Sequence, residues 1–171
     1  MKELTGNKIP VFNTYSFSLP AAPLVSARHE NKKIEIERII SDIKSLEKKY
    51  DCVIVEGIGG IAVPINDNYL VADLIKDLNY PVIIVARPSL GTLNHSVLTI
   101  EFAKQKMLNL LGFVVSGYDE ASSDLAIKTA PDMISEITKA QCLAKITRIK
   151  NMSYESINLL VEKLASLKYA C

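Results

Sequence analysis

The sequence predicts an α/β protein with a parallel sheet covered by helices on both faces, a three-layer arrangement. Three observations predict it. Short runs rich in β-branched residues, Cys52–Val55, Val82–Ala86 and Leu111–Val115, are apolar on both faces, as buried parallel strands are. Segments with helical spacing alternate with them. The composition is globular, with 49% hydrophobic and 23% charged residues in a chain of 171. That length is most economically one domain with a single sizeable core.

Residues 1–33 carry Pro10, Pro20 and Pro23 among polar residues and read as an irregular lead-in, in which Pro23–Arg28 allow a short helix. Ile36, Ile39, Ile40, Ile43, Leu46 and Tyr50 then recur at helical spacing, giving an amphipathic helix over about residues 34–49. The strand Cys52–Val55 follows, then a short helix Val71–Leu78 and, after Pro81, the strand Val82–Ala86. A helix over about Leu93–Met107 leads to the strand Leu111–Val115. The next helix starts near Asp124 or at Pro131, where proline suits a first turn. Cys142–Ile146 reads as an edge strand and Tyr154–Leu167 as a closing helix.

Charge and cysteine usage narrow the function. Twenty basic residues against 19 acidic leave +1, with no basic stripe, so neither nucleic acid nor an anionic membrane surface is a partner. Cys52, Cys142 and Cys171 are an odd, widely spaced set without C-x-x-C, which fits a reducing cytosol better than a disulfide scaffold. Cys52 reads as a small buried hydrophobe. No run approaches ~18 apolar residues, so a soluble, cytoplasmic protein is expected.

Two segments could carry chemistry. In Val53-Ile54-Val55-Glu56-Gly57-Ile58-Gly59-Gly60 the carboxylate falls at a strand's carboxyl end, where open parallel sheets bind ligands. Glu56 there can hold Mg²⁺ directly or through water, and the glycines let backbone pass close to a phosphate. The same residues also read as a strand leaving through a flexible glycine turn, with Glu56 merely solvated. The second segment, Arg87-Pro88-Ser89-Leu90-Gly91-Thr92-Leu93-Asn94-His95, again follows a strand and opens a helix, whose free N–H groups suit an anion. Taken alone it is equally an ordinary capped helix start. His95 and His29 read as structural or surface histidines. Seven glycines are present, yet none forms G-x-x-x-x-G-K-S/T, the phosphate-binding loop such a strand normally serves.

Together these residues resemble the dethiobiotin synthetase family across about Phe12 to Leu164. The anchors are Tyr15-Ser16-Phe17 with Pro20-Ala21-Ala22-Pro23, Val55-Glu56-Gly57-Ile58-Gly59-Gly60 followed by Val63-Pro64, and Ala72-Asp73-Leu74. Pro81-Val82-Ile83-Ile84-Val85, Leu90-Gly91-Thr92-Leu93-Asn94-His95-Ser96-Val97-Leu98-Thr99 and Leu111-Gly112-Phe113-Val114 complete the series. The resemblance implies a sheet of the P-loop NTPase type and an ATP- and Mg²⁺-dependent ligase of biotin biosynthesis. Such an enzyme adds CO₂ to an amine of 7,8-diaminononanoate, phosphorylates the carbamate and closes the ring to dethiobiotin. By the same resemblance Glu56 is the Mg²⁺ ligand, and Gly59 and Gly60 belong to the phosphate turn. Gly91, Thr92, Leu93 and Asn94 reach across a homodimer to the substrate carboxylate. Ser116 and Thr147 stand at nucleotide-binding positions, where the family usually has asparagine and often proline. Ile58 likewise replaces a usual alanine.

The family begins with a strand, a P-loop bearing lysine and threonine, a helix and a second strand ending in a catalytic lysine. None of these precedes Phe12, so the chain is expected to be N-terminally incomplete, with no catalytic residue of its own identified. Uncovering Val53–Val55 and Val82–Val85 would remove roughly 10 kcal/mol of burial, against a total stability of about 5–15 kcal/mol. The chain alone is therefore expected to fold poorly. The alternative function is a non-catalytic homologue kept for binding or dimerisation.

Overall fold

The computed structural model describes residues 9–148 together with Ser153, Glu155, Ile157 and Asn158. They divide into two compact units. One comprises Asn13–Val82 and Glu101–Leu110; the other comprises residues 9–12, Ile83–Ile100 and the described residues from Leu111 onward.

In the first unit, helix α1 (Pro23–His29) opens on the proline, whose missing N–H falls where a helix has no acceptor for it. The buried Ser26 hydroxyl donates to the Leu19 carbonyl at 2.9 Å and ties the lead-in down. Helix α2 (Ile36–Glu47) buries Ile36 and Ile43 and half-buries Ile39 and Ile40, the stripe its spacing predicts. These side chains meet Ala27, Ile34, Ile65, Val71, Leu74 and Leu78 in one core, against which Tyr15 and Phe17 also pack. Helix α3 (Val71–Leu78) has the predicted bounds and ends on Asn79 in the left-handed region at φ 54°.

The hairpin preceding α3 was not predicted. Strand β1 (Pro64–Asn66) pairs antiparallel with β2 (Tyr69–Leu70). The Asn66 side-chain oxygen accepts the Asn68 N–H at 3.2 Å across the turn, the local bond that suits asparagine to such positions.

The second unit carries the parallel sheet, in the order β3–β4–β5. Strand β3 is Val82–Ala86, β4 is Leu110–Tyr118 and β5 is Cys142–Thr147. Helix α4 (Thr92–Gln105) joins β3 to β4, and α5 (Leu125–Thr138) joins β4 to β5. Strands β4 and β5 run parallel, with Phe113 opposite Cys142 and Ser116 opposite Ile146, which places β5 at the edge as expected. Phe113, Val115, Ile100 and Ile134 are fully buried. Helix α5 starts from Asp124, whose carboxylate accepts the Ala126 N–H at 2.8 Å. Pro131 lies buried inside this helix, so it does not mark the helix start.

The predicted strand Cys52–Val55 does not form. Residues 52–57 have no regular structure, and the sheets of the described residues are β1–β2 and β3–β4–β5 alone. A β-branched run becomes a strand only when a ladder pairs its backbone, and none does here. Cys52 is accordingly exposed rather than buried. Ile54 is 89% exposed, and in β3 Val82, Ile84 and Ala86 face inward while Ile83 and Val85 stay open. Most of the predicted closing helix Tyr154–Leu167 lies outside the described residues. Among those residues no helix is long and apolar enough to cross a membrane.

Candidate functional site

The sequence-predicted site residues fall in separate units: Glu56, Gly59 and Gly60 in the first, Gly91–Asn94, Ser116 and Thr147 in the second.

In the first unit, Glu56 is exposed at the head of an irregular loop that runs to Val63. The start of α3 shapes this loop. A Cβ built on Gly57 would lie 2.8 Å from Val71 Cγ1, so only glycine lets the chain pass so near the helix. The Val71 N–H donates to the Val63 carbonyl at 3.0 Å, and the Ala72 N–H to the Ile61 carbonyl at 2.8 Å. The first N–H groups of a helix have no partner within it; here the loop supplies their acceptors. Gly59 has φ 73°, and Gly60 has open space where a Cβ would sit. The result is an exposed carboxylate followed by accessible glycine backbone.

Two residues that sequence reasoning left without a role hold the base of this arrangement. One Asp73 oxygen accepts the Leu70 N–H at 2.9 Å, and the other lies 3.0 Å from the Lys106 ammonium. The Leu70 N–H first, and Lys106 after it, hold the Asp73 carboxyl below its ordinary value of 3.8. Asp73, three residues after Leu70, has the spacing of a capping residue and could have been found. Lys106 has no local signal.

Glu56 has no metal-binding cluster around it, since no group of three or more His, Cys, Asp or Glu suited to a metal occurs among the described residues. That donor set still fits Mg²⁺, which keeps several waters and takes one or two carboxylates plus substrate phosphates rather than an all-protein cage.

In the second unit, the carboxyl ends of β3, β4 and β5 come together. Ser116 is exposed and pairs with Ile146, and Thr147, also exposed, pairs with Tyr118. Gly117, at φ 84°, brings the end of β4 within 3.9 Å of Pro88 Cδ, measured from an ideal Cβ. From the end of β3 the chain turns at Ser89 and Leu90 into α4. Gly91 has φ 89°, its carbonyl accepts the His95 N–H at 3.1 Å, and Asn94 is exposed on the first turn. Leu93 is half-buried. Thr92 is 4% exposed, and its hydroxyl lies 3.2 Å from that of buried Ser96. The side chains open to a ligand here are therefore Asn94, Ser116 and Thr147, beside backbone at Gly91. His95 and His29 are exposed, as surface histidines are.

The chain resembles known proteins along most of its length. A family model described as an AAA domain matches residues 1–156. The ATP-dependent dethiobiotin synthetase BioD of Thermodesulfovibrio yellowstonii is 38% identical over 161 residues, covering 86% of this chain and 67% of the relative. Proteins of the same name from Bacillus velezensis and Bacillus subtilis are 37% and 38% identical. Those matches cover 87% and 84% of this chain and 64% and 62% of the relatives. The chain thus spans about two thirds of the length of the curated relatives it matches. An identity this high, sustained over most of the chain, has one consequence: the chain belongs to the dethiobiotin synthetase family.

Proposed function

We propose that this protein serves in the ATP- and Mg²⁺-dependent closure of 7,8-diaminononanoate and CO₂ to dethiobiotin, as a ligase of biotin biosynthesis. The observation that carries the reading is its 37–38% identity to proteins named ATP-dependent dethiobiotin synthetase.

The described residues suit the parts such a reaction needs. The Glu56 carboxylate, with Gly59 and Gly60 behind it, would hold Mg²⁺ and pass backbone along the phosphates. When bound, Mg²⁺ neutralises phosphate charge. The start of α4, with Gly91, Thr92, Leu93 and Asn94, would take the substrate carboxylate: the first N–H groups of a helix favour an anion, and Asn94 adds an exposed amide. Thr92 would contribute by shaping the turn from beneath, since its hydroxyl is committed to Ser96. Ser116 and Thr147, exposed at adjacent strand ends, would border the nucleotide. Homodimerisation and a cytoplasmic setting belong to the same proposal.

Calorimetry tests the substrate assignment on protein isolated from its own source. Binding of 7,8-diaminononanoate that weakens about tenfold in Asn94→Ala, the loss of one charge-assisted hydrogen bond, is the expected result. Binding unaffected by that change would remove the carboxylate site from the start of α4.

A further inference from the structure

We propose that Asp73 and Lys106 are positioning residues: together they lock the first turn of α3, and that turn holds the loop Gly57–Val63 in the conformation that presents Glu56. The inference deepens the phosphate-site reading of Glu56 and rests on it for its catalytic meaning.

The chain of contacts is short. The loop hangs from α3 by two backbone hydrogen bonds, from the Val71 and Ala72 N–H groups, and by the fit of the Val71 side chain beside Gly57. A loop fastened in this way moves with the helix start. That start is in turn fixed by one carboxylate. Asp73 accepts the Leu70 N–H with one oxygen and meets Lys106 with the other, so its side chain cannot rotate without breaking both interactions. Lys106 follows the end of α4 and is itself held: its N–H donates to the Phe102 carbonyl at 3.0 Å, and its ammonium lies 5.7 Å from the centre of the Phe102 ring. Both side chains are about one-third exposed or less, which screens the pair only partly. Sequence places the two residues 33 apart, and only the fold joins them.

Amide hydrogen exchange on the full chain reads the latch directly and needs no ligand. In Asp73→Ala and Lys106→Met the amides of Val71 and Ala72, which donate to the loop carbonyls of Val63 and Ile61, and of Val63, which donates to Gly60, are expected to exchange about tenfold faster, the scale on which a capping interaction is lost. Amides of α2 and β4 should keep their rates. Lys106→Arg, which retains charge and donors, should restore slow exchange at these three amides. Unchanged exchange at Val63, Val71 and Ala72 in both loss variants would overturn the proposal. So would an equal acceleration across α2 and β4, because the pair would then be a general stabiliser. The phosphate-site reading fails by a separate measurement: Glu56→Gln would leave Mn²⁺ affinity of the isolated protein unaltered, whatever the exchange data show.

Discussion

Gly57 passes so close to Val71 that a methyl group on it would sit 2.8 Å from Val71 Cγ1. Gly57→Ala should therefore cost about 1–3 kcal/mol through overpacking. Gly60→Ala, where nothing lies within 4 Å, should change stability by less than about 0.5 kcal/mol. Denaturant midpoints of the two variants check the contrast, and equal midpoints would mean that the loop does not lie against α3.

Gly112 meets a harder obstacle. Its Cβ would lie 2.4 Å from the backbone carbonyl of Gln141, at the start of the β4–β5 pairing, and backbone cannot swing aside as a side chain can. Gly112→Ala should cost more than about 3 kcal/mol. Thermal unfolding with a midpoint near that of the parent would contradict this.

Thr92 and Asn94 are neighbours with opposite expected behaviour. Thr92→Val leaves the buried Ser96 hydroxyl without its partner at 3.2 Å and should lower stability by about 1–3 kcal/mol. Asn94→Ala removes an exposed side chain, so it should leave stability unchanged while raising the KM for diaminononanoate. Melts and steady-state kinetics on both variants separate the structural residue from the recognition residue.

The depressed Asp73 carboxyl makes a pH prediction whose sign is fixed. A carboxyl lowered in the folded state adds stability that is fully present above its ordinary value of 3.8 and is lost as pH falls through the lower folded value. The parent protein should therefore lose stability below about pH 4 more steeply than Asp73→Asn does. Parallel acid titrations of the unfolding free energy check this. Curves of identical slope below pH 4 would show that Asp73 gains nothing from Leu70 and Lys106.

Much of this architecture was legible in the sequence, for physical reasons. The stripe Ile36, Ile39, Ile40 and Ile43 announces α2, because only one helical face collects all four. Val71–Leu78 and Val82–Ala86 emerge with the predicted bounds, set off by Asn79 and Pro81 between them. The run Cys52–Val55 has equally good strand chemistry but no ladder among the described residues, and pairing is a tertiary property that local pattern cannot report. The β1–β2 hairpin escaped because strands of three and two residues are too short to show alternation. In the candidate site, Glu56 and the start of α4 stood out through glycine and charge. The buried state of Thr92 and the Lys106 contact to Asp73 depend on side-chain packing that spacing does not encode.

The central claim is that this family member makes dethiobiotin with Glu56 at its metal site. The most direct measurement is Mg²⁺-dependent dethiobiotin formation from 7,8-diaminononanoate, CO₂ and ATP by protein isolated from its own source, beside its Glu56→Gln variant. The account predicts dethiobiotin and phosphate in equal amounts from the parent. It predicts a loss of at least about a hundredfold at limiting Mg²⁺ in the variant, the scale on which a charge-stabilising group is removed from a reaction, with an unchanged melt. A variant as active as the parent at limiting Mg²⁺, or a parent that binds diaminononanoate and Mg-ATP yet forms no dethiobiotin, would contradict it.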